Sequence, residues 1–376
     1  MRFPEFHGEW DKCKVSDLLD FYSTNSLSWE QLEYGTDNML NLHYGLIHVG
    51  LPTMVDLSKD ILPAIKKENE PKNFELCKEG DIAFADASED TNEVAKAIEF
   101  YTLEDKAVVC GLHTIHGRDK SNKTVVGYKG YAFSSTAFHH QIRRIAQGTK
   151  IYSISAKNFA ECYIGIPSKE EQTKIAKLLR LIDERIATQS KLIEKLESLI
   201  KGIAQKIVHS NKTNVRLSEC VECSSSTLQE SDVCEHGAYP VYGANGIVGY
   251  LDNYNTEGEA VYIIKDGSGV GTVSYVTGKC SATGTLNTLQ AKEGYSLQYL
   301  YYLLKVFNFE PYKTGMAIPH IYFKDYGKAK FFCPSYTEQL QYAKSLSAID
   351  SKLLVEKNIL TSLSMQKKYL LRQMFI

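Results

Sequence analysis

The chain has 376 residues, of which 43% are hydrophobic and 23% charged, and its formal net charge is −2. This length exceeds what one compact core usually organises, so two or more domains are expected. The sequence contains neither a run of 18 uncharged apolar residues nor an apolar leader after Met1, which argues against a membrane protein or a secreted one and predicts a cytoplasmic protein.

The nine cysteines are an odd number, which in a cytoplasmic protein indicates reduced thiols rather than a disulfide framework. One group, Cys220, Cys223, Cys234 and His236, has a spacing that could hold zinc. A second Cys-x-x-Cys pair is missing from this group. Free thiols are therefore the favoured interpretation, and no metal site is predicted.

Charge is unevenly distributed along the chain. Residues 1–100 carry a net charge of −11, whereas residues 101–166 carry +5. A basic zone of this kind is compatible with nucleic acid on one face, and equally with an ordinary solvated surface.

In chain order, the predicted elements are strands, then a long helix, then strands and a long helix again. Strand-like runs broken by Gly, Asn and Asp occupy 80–88, 106–115, 239–254 and 259–278. His139 and His140 lie on a predicted helix. The glycine-rich stretch 267–271 is predicted to be a hairpin rather than a nucleotide-binding loop, because no helical pattern follows it.

The sequence contains an internal repeat. Residues 147–209 align without a gap to residues 314–376, 167 positions later, and 15 of the 63 pairs are identical. Each copy contains Pro-Ser-x-x-Glu-Gln, at Pro167–Gln172 and Pro334–Gln339. A Ser followed three residues later by Glu predicts a capping box, so a helix is expected to begin at each Ser. Outside the repeat, the two halves of the chain cannot be aligned.

Each copy then shows a heptad pattern, with apolar residues alternately three and four positions apart. The predicted seam of an antiparallel coiled coil consists of Leu179, Ile182, Ile186, Ile193, Leu196, Ile200, Ile203, Leu346, Ile349, Leu353, Leu360, Leu363 and Leu370. The polar residues Gln189 and Glu356 take matching seam positions, and Lys367 stands where the first copy has Ile200. About 40 helical residues would form a rod of roughly 60 Å. Two unrelated amphipathic helices, each packed on its own domain, are the alternative.

These patterns predict an α+β protein in which two mixed α/β domains are separated by an antiparallel pair of long helices in a pseudo-two-fold repeat. The predicted segments are a first domain (1–166), a central helical spacer (167–212), a second domain (213–333) and a C-terminal helical spacer (334–376). The second domain holds 13 of the 24 tyrosines, which favours a recognition surface over a tyrosine-rich core.

Catalytic signatures are not found. The sequence contains no Pro-Pro, no phosphate-binding Gly-x-x-x-x-Gly-Lys-Ser/Thr, no Pro-Asp…Glu-x-Lys nuclease pattern and no Gly-x-Ser-x-Gly elbow. A binding protein is therefore expected rather than an enzyme, and no catalytic residue is predicted.

Two dissimilar domains, each followed by Pro-Ser-x-x-Glu-Gln and a long helix, resemble the specificity (S) subunit of Type I restriction-modification systems. Segments 239–254 and 314–326 also resemble the family's second target-recognition domain, and 110–115 and 147–159 the first. The resemblance implies a non-catalytic reader of a bipartite site in double-stranded DNA. It also implies docking of methyltransferase (M) subunits, two in number, and of restriction (R) subunits. No cofactor is expected on this chain; S-adenosylmethionine, ATP and Mg are expected on the partners.

Within this interpretation, Lys and Arg side chains suit phosphates, and bidentate or multifunctional side chains suit base edges. The predicted DNA-binding residues are Arg143, Arg144, Gln147, Thr149, Lys150 and Lys157 in the first domain, and Asn245, Lys265, Lys313, His320, Tyr322 and Lys324 in the second. A coiled-coil scaffold whose domains bind protein is the alternative function. A stand-alone methyltransferase or nuclease is a third, against which the missing motifs argue.

Overall fold

The computed structural model describes residues 1–36, 38–315 and 317–375. The chain divides into two compact units: unit 1 comprises Met1–Gln189 and Ile359–Ile376, and unit 2 comprises Ser190–Asn358. Each unit contains a strand-rich body together with part of each long helix. Because the division falls inside the helices, it does not test the predicted boundaries between bodies and helices.

The body of unit 1 is built from short strands and short helices. Its strands are β1 (Asp11–Lys14), β2 (Leu19–Tyr22), β3 (Leu32–Glu33), β4 (Leu40–Leu42), β5 (Met54–Asp56), β6 (Ala64–Ile65), β7 (Ile82–Ala85), β8 (Ala87–Ser88), β9 (Ala97–Thr102), β10 (Val108–Cys110), β11 (Thr114–Asp119), β12 (Tyr152–Ser153) and β13 (Tyr163–Ile166). Its helices are α1 (Val15–Leu18), α2 (Tyr44–His48), α3 (Tyr128–Phe133), α4 (Thr136–Ile145) and α5 (Ala156–Ala160), with 3₁₀ turns at Trp29–Gln31 and Lys67–Asn69.

The long helices are α6 (Lys169–Ser210) and α10 (Tyr336–Gln373). The body of unit 2 contains strands β14 (Val215–Arg216), β15 (Val221–Ser225), β16 (Tyr239–Gly243), β17 (Gly246–Leu251), β18 (Ala260–Ile264), β19 (Val273–Val276), β20 (Ser281–Ala282), β21 (Leu286–Ala291) and β22 (Lys330–Phe331). Its helices are α7 (Leu217–Cys220), α8 (Leu297–Lys305) and α9 (Phe323–Tyr326), with 3₁₀ turns at Glu230–Asp232 and Glu310–Tyr312.

The two bodies share part of their topology. The main sheet of unit 1 has the order β2-β11-β7-β9-β5, and that of unit 2 has the order β15-β21-β18-β19. In each body a strand, a one-turn helix and a second strand begin the domain, and the first strand pairs with the strand that precedes the long helix. The correspondence between the two halves of the chain therefore extends into these parts of the bodies, although the sequences of the bodies could not be aligned.

The largest apolar core of unit 1 lies between the main sheet and the helices. Phe84 of β7 packs edge-on against Phe133 and Phe159, with ring centroids 4.9 and 4.6 Å apart. Ile175, Leu179 and Ile182 of α6 belong to the same core. Burial of side chains of this size stabilises a fold by about 1.5–3 kcal/mol each, so the long helix is an integral part of the unit.

The residues shared by the two Pro-Ser-x-x-Glu-Gln segments attach each long helix to its body. The buried Gln172 accepts a hydrogen bond from the Val125 N–H at 2.9 Å and donates to the Pro167 carbonyl at 2.9 Å. Gln339 does the same in unit 2, accepting from the Ser296 N–H and donating to the Pro334 carbonyl, both at 2.9 Å. A buried amide bonded on both sides fixes the helix start against the body.

Matching tyrosines make a second attachment. The Tyr128 hydroxyl donates to the Gly165 carbonyl at 2.6 Å and the Tyr299 hydroxyl to the Phe332 carbonyl at 2.8 Å. One turn further along α3 and α8, Tyr131 donates to Asp183 at 2.9 Å and Tyr302 to Asp350 at 3.4 Å. Gly165 and Phe332, like Asp183 and Asp350, occupy equivalent positions in the repeat.

The predicted capping box is confirmed in full only at the second helix. There the Glu338 N–H donates to Ser335 Oγ at 3.4 Å, and the Glu338 carboxylate accepts from the Ser335 N–H at 3.1 Å. At the first helix Ser168 Oγ accepts from the Glu171 N–H at 3.3 Å. The Glu171 carboxylate instead accepts two hydrogen bonds from Arg2, both at 2.6 Å, so this half of the prediction is wrong.

The two long helices run antiparallel. In unit 1 Lys367 of α10 pairs with Asp183 of α6, and in unit 2 Lys357 pairs with Glu197, each at 2.6 Å. The predicted seam residues are all buried or partly buried, and the seam polar residues Gln189 and Glu356 are 7% and 4% exposed.

Several local expectations can be compared with the structure directly. The stretch 267–271 joins the antiparallel strands β18 and β19, so the predicted hairpin is confirmed. The expected tyrosine-rich recognition surface is wrong for four of the 13 tyrosines, because the Tyr262, Tyr299, Tyr302 and Tyr326 side chains are fully buried; most of the others are exposed or partly exposed. In the cysteine group that could have held zinc, Cys220 Sγ lies 3.9 Å from Cys333 Sγ, whereas Cys234 is exposed.

Candidate nucleic-acid interface

In unit 1, two surface segments lie side by side at the end of strand β7. Residues 147–153 form a loop closed by reciprocal backbone hydrogen bonds between Gln147 and Ser153, at 2.9 and 2.8 Å. Strand β12, at the end of this loop, pairs with strand β8, and the Ile154 N–H donates to the Asp86 carbonyl at 3.0 Å. We refer to residues 147–153 and 86–88 together as the first loop pair.

Unit 2 contains the same arrangement. Thr314 and His320 exchange two backbone hydrogen bonds of 2.8 Å, and the Ile321 N–H donates to the Lys265 carbonyl at 2.9 Å. The Gly267 N–H donates to the Pro319 carbonyl at 3.0 Å. We refer to residues 314–315, 317–320 and 265–267 as the second loop pair. Thr314, His320 and Ile321 lie 167 positions after Gln147, Ser153 and Ile154, so the two loop pairs occupy equivalent places in the repeat.

A glycine shapes each loop. Gly148 and Gly315 have φ angles of +140° and +89°, which residues with a side chain rarely adopt. A Cβ atom at Gly148 would collide with the Ile151 carbonyl, and one at Gly315 with the Ile318 carbonyl. The same loops present Ile151 and Ile318 to solvent, with exposed fractions of 62% and 59%. Each unit thus holds an apolar side chain in the open beside polar ones.

The predicted DNA-binding residues of unit 1 gather only in part. Gln147, Thr149 and Lys150 are exposed on the first loop pair, and Lys157 is exposed on the adjoining helix α5. Helix α5 begins at Ser155, whose side chain accepts from the Asn158 N–H. The four polar or basic side chains are thus exposed on two consecutive segments of the chain.

The two arginines predicted to bind DNA in unit 1 lie in different surroundings. Arg143 donates to Asn92 at 3.0 Å, close in sequence to the loop segment that ends at Ser88. Arg144 instead lines a cavity of about 830 Å³ together with Arg2, Trp10 and Lys12. The structure therefore does not bring Arg144 to the loop pair.

In unit 2, His320, Lys265 and the neighbouring Tyr322 belong to or adjoin the second loop pair. His320 Nδ1 lies 2.6 Å from the Asp266 carboxylate, and both side chains are about one-third exposed. Lys324 lies 5.3 Å above the ring of the exposed Tyr322. A cation on an aromatic face stays available for a phosphate on its other side.

The remaining residues predicted in unit 2 are placed differently. Lys313 pairs with Glu310 at 2.6 Å. Asn245 is exposed at the tip of the separate hairpin formed by β16 and β17.

The sequence prediction missed the acidic members of both loop pairs. Asp266 holds His320, and Asp86 lies 3.1 Å from His113 Nδ1 in the first loop pair. Each carboxylate can orient a neighbouring imidazole and can accept hydrogen bonds from cytosine amino groups. The only signal in the sequence was their place within two residues of the end of a buried strand, which does not by itself mark a binding residue.

A model of the Type I restriction modification DNA specificity domain matches this chain twice, over residues 54–198 and 209–365. The chain belongs to this family. A putative Type I specificity subunit of Mycoplasma genitalium is 28% identical over 273 residues, which are 65% of this chain and 69% of that protein. The specificity subunit of the Type I restriction enzyme EcoprrI of Escherichia coli is 27% identical over 113 residues, which are 30% of this chain and 28% of that protein.

Two solved structures share the fold over nearly the whole chain. The crystal structure of a Type I restriction-modification S subunit from M. genitalium has a TM-score of 0.66 at 19% identity, covering 100% of this chain and 99% of that one. A structure from a study of complex assembly and conformational transition in the Type I system has a TM-score of 0.57 at 14% identity, covering 98% and 97%. Among the described residues, no helix has the length and apolar character needed to cross a membrane.

Proposed function

We propose that this chain is the non-catalytic subunit that determines the DNA sequence read by a Type I restriction-modification complex. The observation that carries the proposal is the equivalence of the two loop pairs. Their backbone hydrogen bonds and positive-φ glycines correspond, whereas their side chains differ: Asp86, Ala87 and Ser88 in one unit, Lys265, Asp266 and Gly267 in the other. A common frame with different side chains is what two readers of different half-sites require.

The side chains of both surfaces suit DNA. Lys150 and Lys157 in unit 1, and Lys324 in unit 2, offer cations to phosphates without a carboxylate partner among the ion pairs of the described residues. Gln147, Thr149, His320 and Tyr322 carry donors and acceptors for base edges. The exposed Ile151 and Ile318 can contact thymine methyl groups or the face of an unstacked base.

The long helices are proposed to set the distance between the two half-sites and to dock two methyltransferase subunits. Leu181, Leu192 and Leu199 of α6 are exposed, as are Leu354, Val355 and Met365 of α10. Large apolar side chains in the open on one pair of helices favour a protein partner. Restriction subunits would join the same complex. S-adenosylmethionine, ATP and Mg would be bound by those partners and not by this chain.

The proposal is tested by DNA footprinting of the chain together with its methyltransferase partner at several salt concentrations. Two protected segments separated by an unprotected spacer are expected, with an affinity that falls steeply with salt. The variant Lys157→Ala should weaken binding on all sequences and reduce the salt slope by about one. Lys191→Ala, at an exposed position on α6, is the matched control. A protein scaffold would give no sequence preference and no steep salt dependence.

A further inference from the structure

Two cysteines and one histidine meet in the interior of unit 1. Cys77 precedes β7, Cys110 ends β10 and His116 lies in β11, and their exposed fractions are 5%, 2% and 0%. The two sulfur atoms are 3.6 Å apart, and the three potential ligand atoms all lie within 4.8 Å of one another. Two thiols and an imidazole converging in a buried place match the ligand set that zinc prefers.

His116 has one nitrogen without a partner. Its Nε2 lies 2.8 Å from the Asp81 carboxylate, whereas its buried Nδ1 has no hydrogen-bond partner. The Asp81 oxygen accepts the hydrogen bond of the Nε2–H group, and in this tautomer Nδ1 carries a lone pair.

An unpartnered imidazole lone pair is costly in a side chain that is fully buried. A carboxylate behind the distal nitrogen is also the usual support of a metal-ligating histidine, because it fixes the tautomer and the ring orientation. Asp81 itself is held by Arg118, which donates to its two oxygens at 2.8 and 2.7 Å. Asp81 and Arg118 therefore already form the hydrogen bonds that would hold His116 in place as a metal ligand.

We propose that Cys77, Cys110 and His116 bind one Zn²⁺ ion. Two sulfurs bound to zinc at about 2.3 Å in a tetrahedral site lie about 3.8 Å apart, close to the distance between these thiols. On binding, two S–H bonds break and two Zn–S bonds form, and the two protons pass to the solvent. The product is neutral, because two thiolates balance the charge of the ion. A water molecule or a backbone carbonyl would complete the fourth position.

Bound zinc would stabilise the conformation of the first loop pair. Residues 111–113 turn between the ligands Cys110 and His116, and His113 in this turn contacts Asp86. Because the three ligands are buried, zinc is expected to enter while unit 1 folds. The inference rests on these contacts alone and holds whether or not the chain reads DNA.

The test is the zinc content of the complete chain, produced with Zn²⁺ in the medium and measured by elemental mass spectrometry after extensive dialysis. About one zinc per chain is expected. Cys110→Ser should lose it. Cys333→Ser is the matched control, since Cys220 and Cys333 are also a close thiol pair, 3.9 Å apart, but have no histidine among the metal-suited groups of the described residues. This variant should retain the zinc.

A second measurement keeps the proposal falsifiable if Cys110→Ser does not fold. The wild-type chain is refolded with Co²⁺ in place of Zn²⁺, and thiolate-to-cobalt charge-transfer absorption in the near ultraviolet is expected. A wild-type chain that stays free of zinc and shows no such absorption would overturn the proposal. Zinc that persists in Cys110→Ser but is lost in Cys234→Ser would also overturn it, as would a disulfide between Cys77 and Cys110 in the native protein.

Discussion

Lys367 Nζ lies 2.6 Å from Asp183 Oδ1, and this ion pair joins the two long helices within unit 1. Lys367 occupies a seam position where the first copy of the repeat has Ile200. Asp183 also accepts a hydrogen bond from the Tyr131 hydroxyl, so one carboxylate links α6, α10 and the body helix α3. In unit 2 the equivalent Asp350 accepts from Tyr302 and lies 4.0 Å from Lys305 of α8. Lys367, the charged residue that interrupts the apolar heptad of α10, therefore has an ion-pair partner in Asp183 of α6.

Replacing Lys367 by Met should destabilise unit 1 by about 1–3 kcal/mol, because Asp183 then loses its cation in a partly buried place. The value lies below that of a fully buried pair, since the two side chains remain 22% and 18% exposed. Hydrogen exchange of the α3 and α6 amides measures the change. Lys368→Met, at the exposed neighbouring position, is the control, and equal effects of the two variants would contradict the role of the pair.

Gln172→Ala and Gln339→Ala should each loosen one unit. Each substitution leaves a backbone N–H and a carbonyl without their amide partner, which costs about 1–3 kcal/mol when the groups are buried. The increase in hydrogen exchange is expected around Val125 for the first variant and around Ser296 for the second. Gln341→Ala, at an exposed position of α10, should change neither. A response spread over both units from either variant would show that the attachments are not local.

Gly148→Ala should distort the first loop pair. The φ angle of +140° and the nearby Ile151 carbonyl leave no room for a Cβ atom, so the loop must rearrange. We expect recognition of one half-site to weaken at least tenfold while binding to the other is retained, measured by competition between DNAs altered in one half-site. Gly202→Ala, where a Cβ would meet open space, is the control. Unchanged competition would exclude this loop from recognition.

The stability of unit 1 should fall as the pH is lowered through the range in which free histidine titrates. Burial lowers the pKa of His139, and the nearby Arg143 lowers it further; Lys96 acts in the same direction and Glu93 opposes it. Below pH about 6.5 the unfolded chain binds a proton that the folded chain excludes. The contribution of His139 to stability is thus fully present above this pH. It decreases as the pH falls from there to the pKa of His139 in the folded protein.

The melting temperature, measured between pH 8 and 5, reports this pH dependence of stability. The variant His139→Gln should show a smaller decrease of the melting temperature with falling pH. Part of the slope should remain, because burial also lowers the pKa of His43. The control variant His140→Gln replaces the exposed neighbouring histidine. Its melting temperature should change with pH as in the wild type. A slope unchanged by His139→Gln would assign the effect to other groups.

The repeat and the long helices could be predicted because their signals are local: a Ser cap, a Glu three residues later and a heptad period. The contact that replaces half of the first capping box is not local, since Arg2 and Glu171 are 169 residues apart in the sequence. The loop pairs were hidden for the same reason. Asp86 and Ile154 meet through backbone atoms, and a backbone hydrogen bond leaves no mark on residue type.

The partial equivalence of the two bodies could not be predicted from the sequence either. Strands β2 and β15 take the same place in their sheets while most of their side chains differ. Sheet order depends on backbone pairing and on burial of one face, and many apolar sequences satisfy both. Four of the tyrosines departed from the prediction for a related reason, because a Tyr ring can fill a core as long as its hydroxyl finds a partner, as the Tyr299 hydroxyl does at the Phe332 carbonyl.

The most direct test is the genome-wide pattern of adenine methylation in cells that contain this chain and its methyltransferase partner. Residues 1–145 are replaced by the corresponding segment of another specificity subunit, and the methylated sequence is compared with that of the unaltered chain. As the control, one heptad is deleted from each helix, at 186–192 and 353–359, which should change the spacer and leave both half-sites unaltered. With the segment replaced, one half-site should change while the other half-site and the spacer stay the same. A change in both halves, or in neither, would contradict two independent readers on one pair of helices.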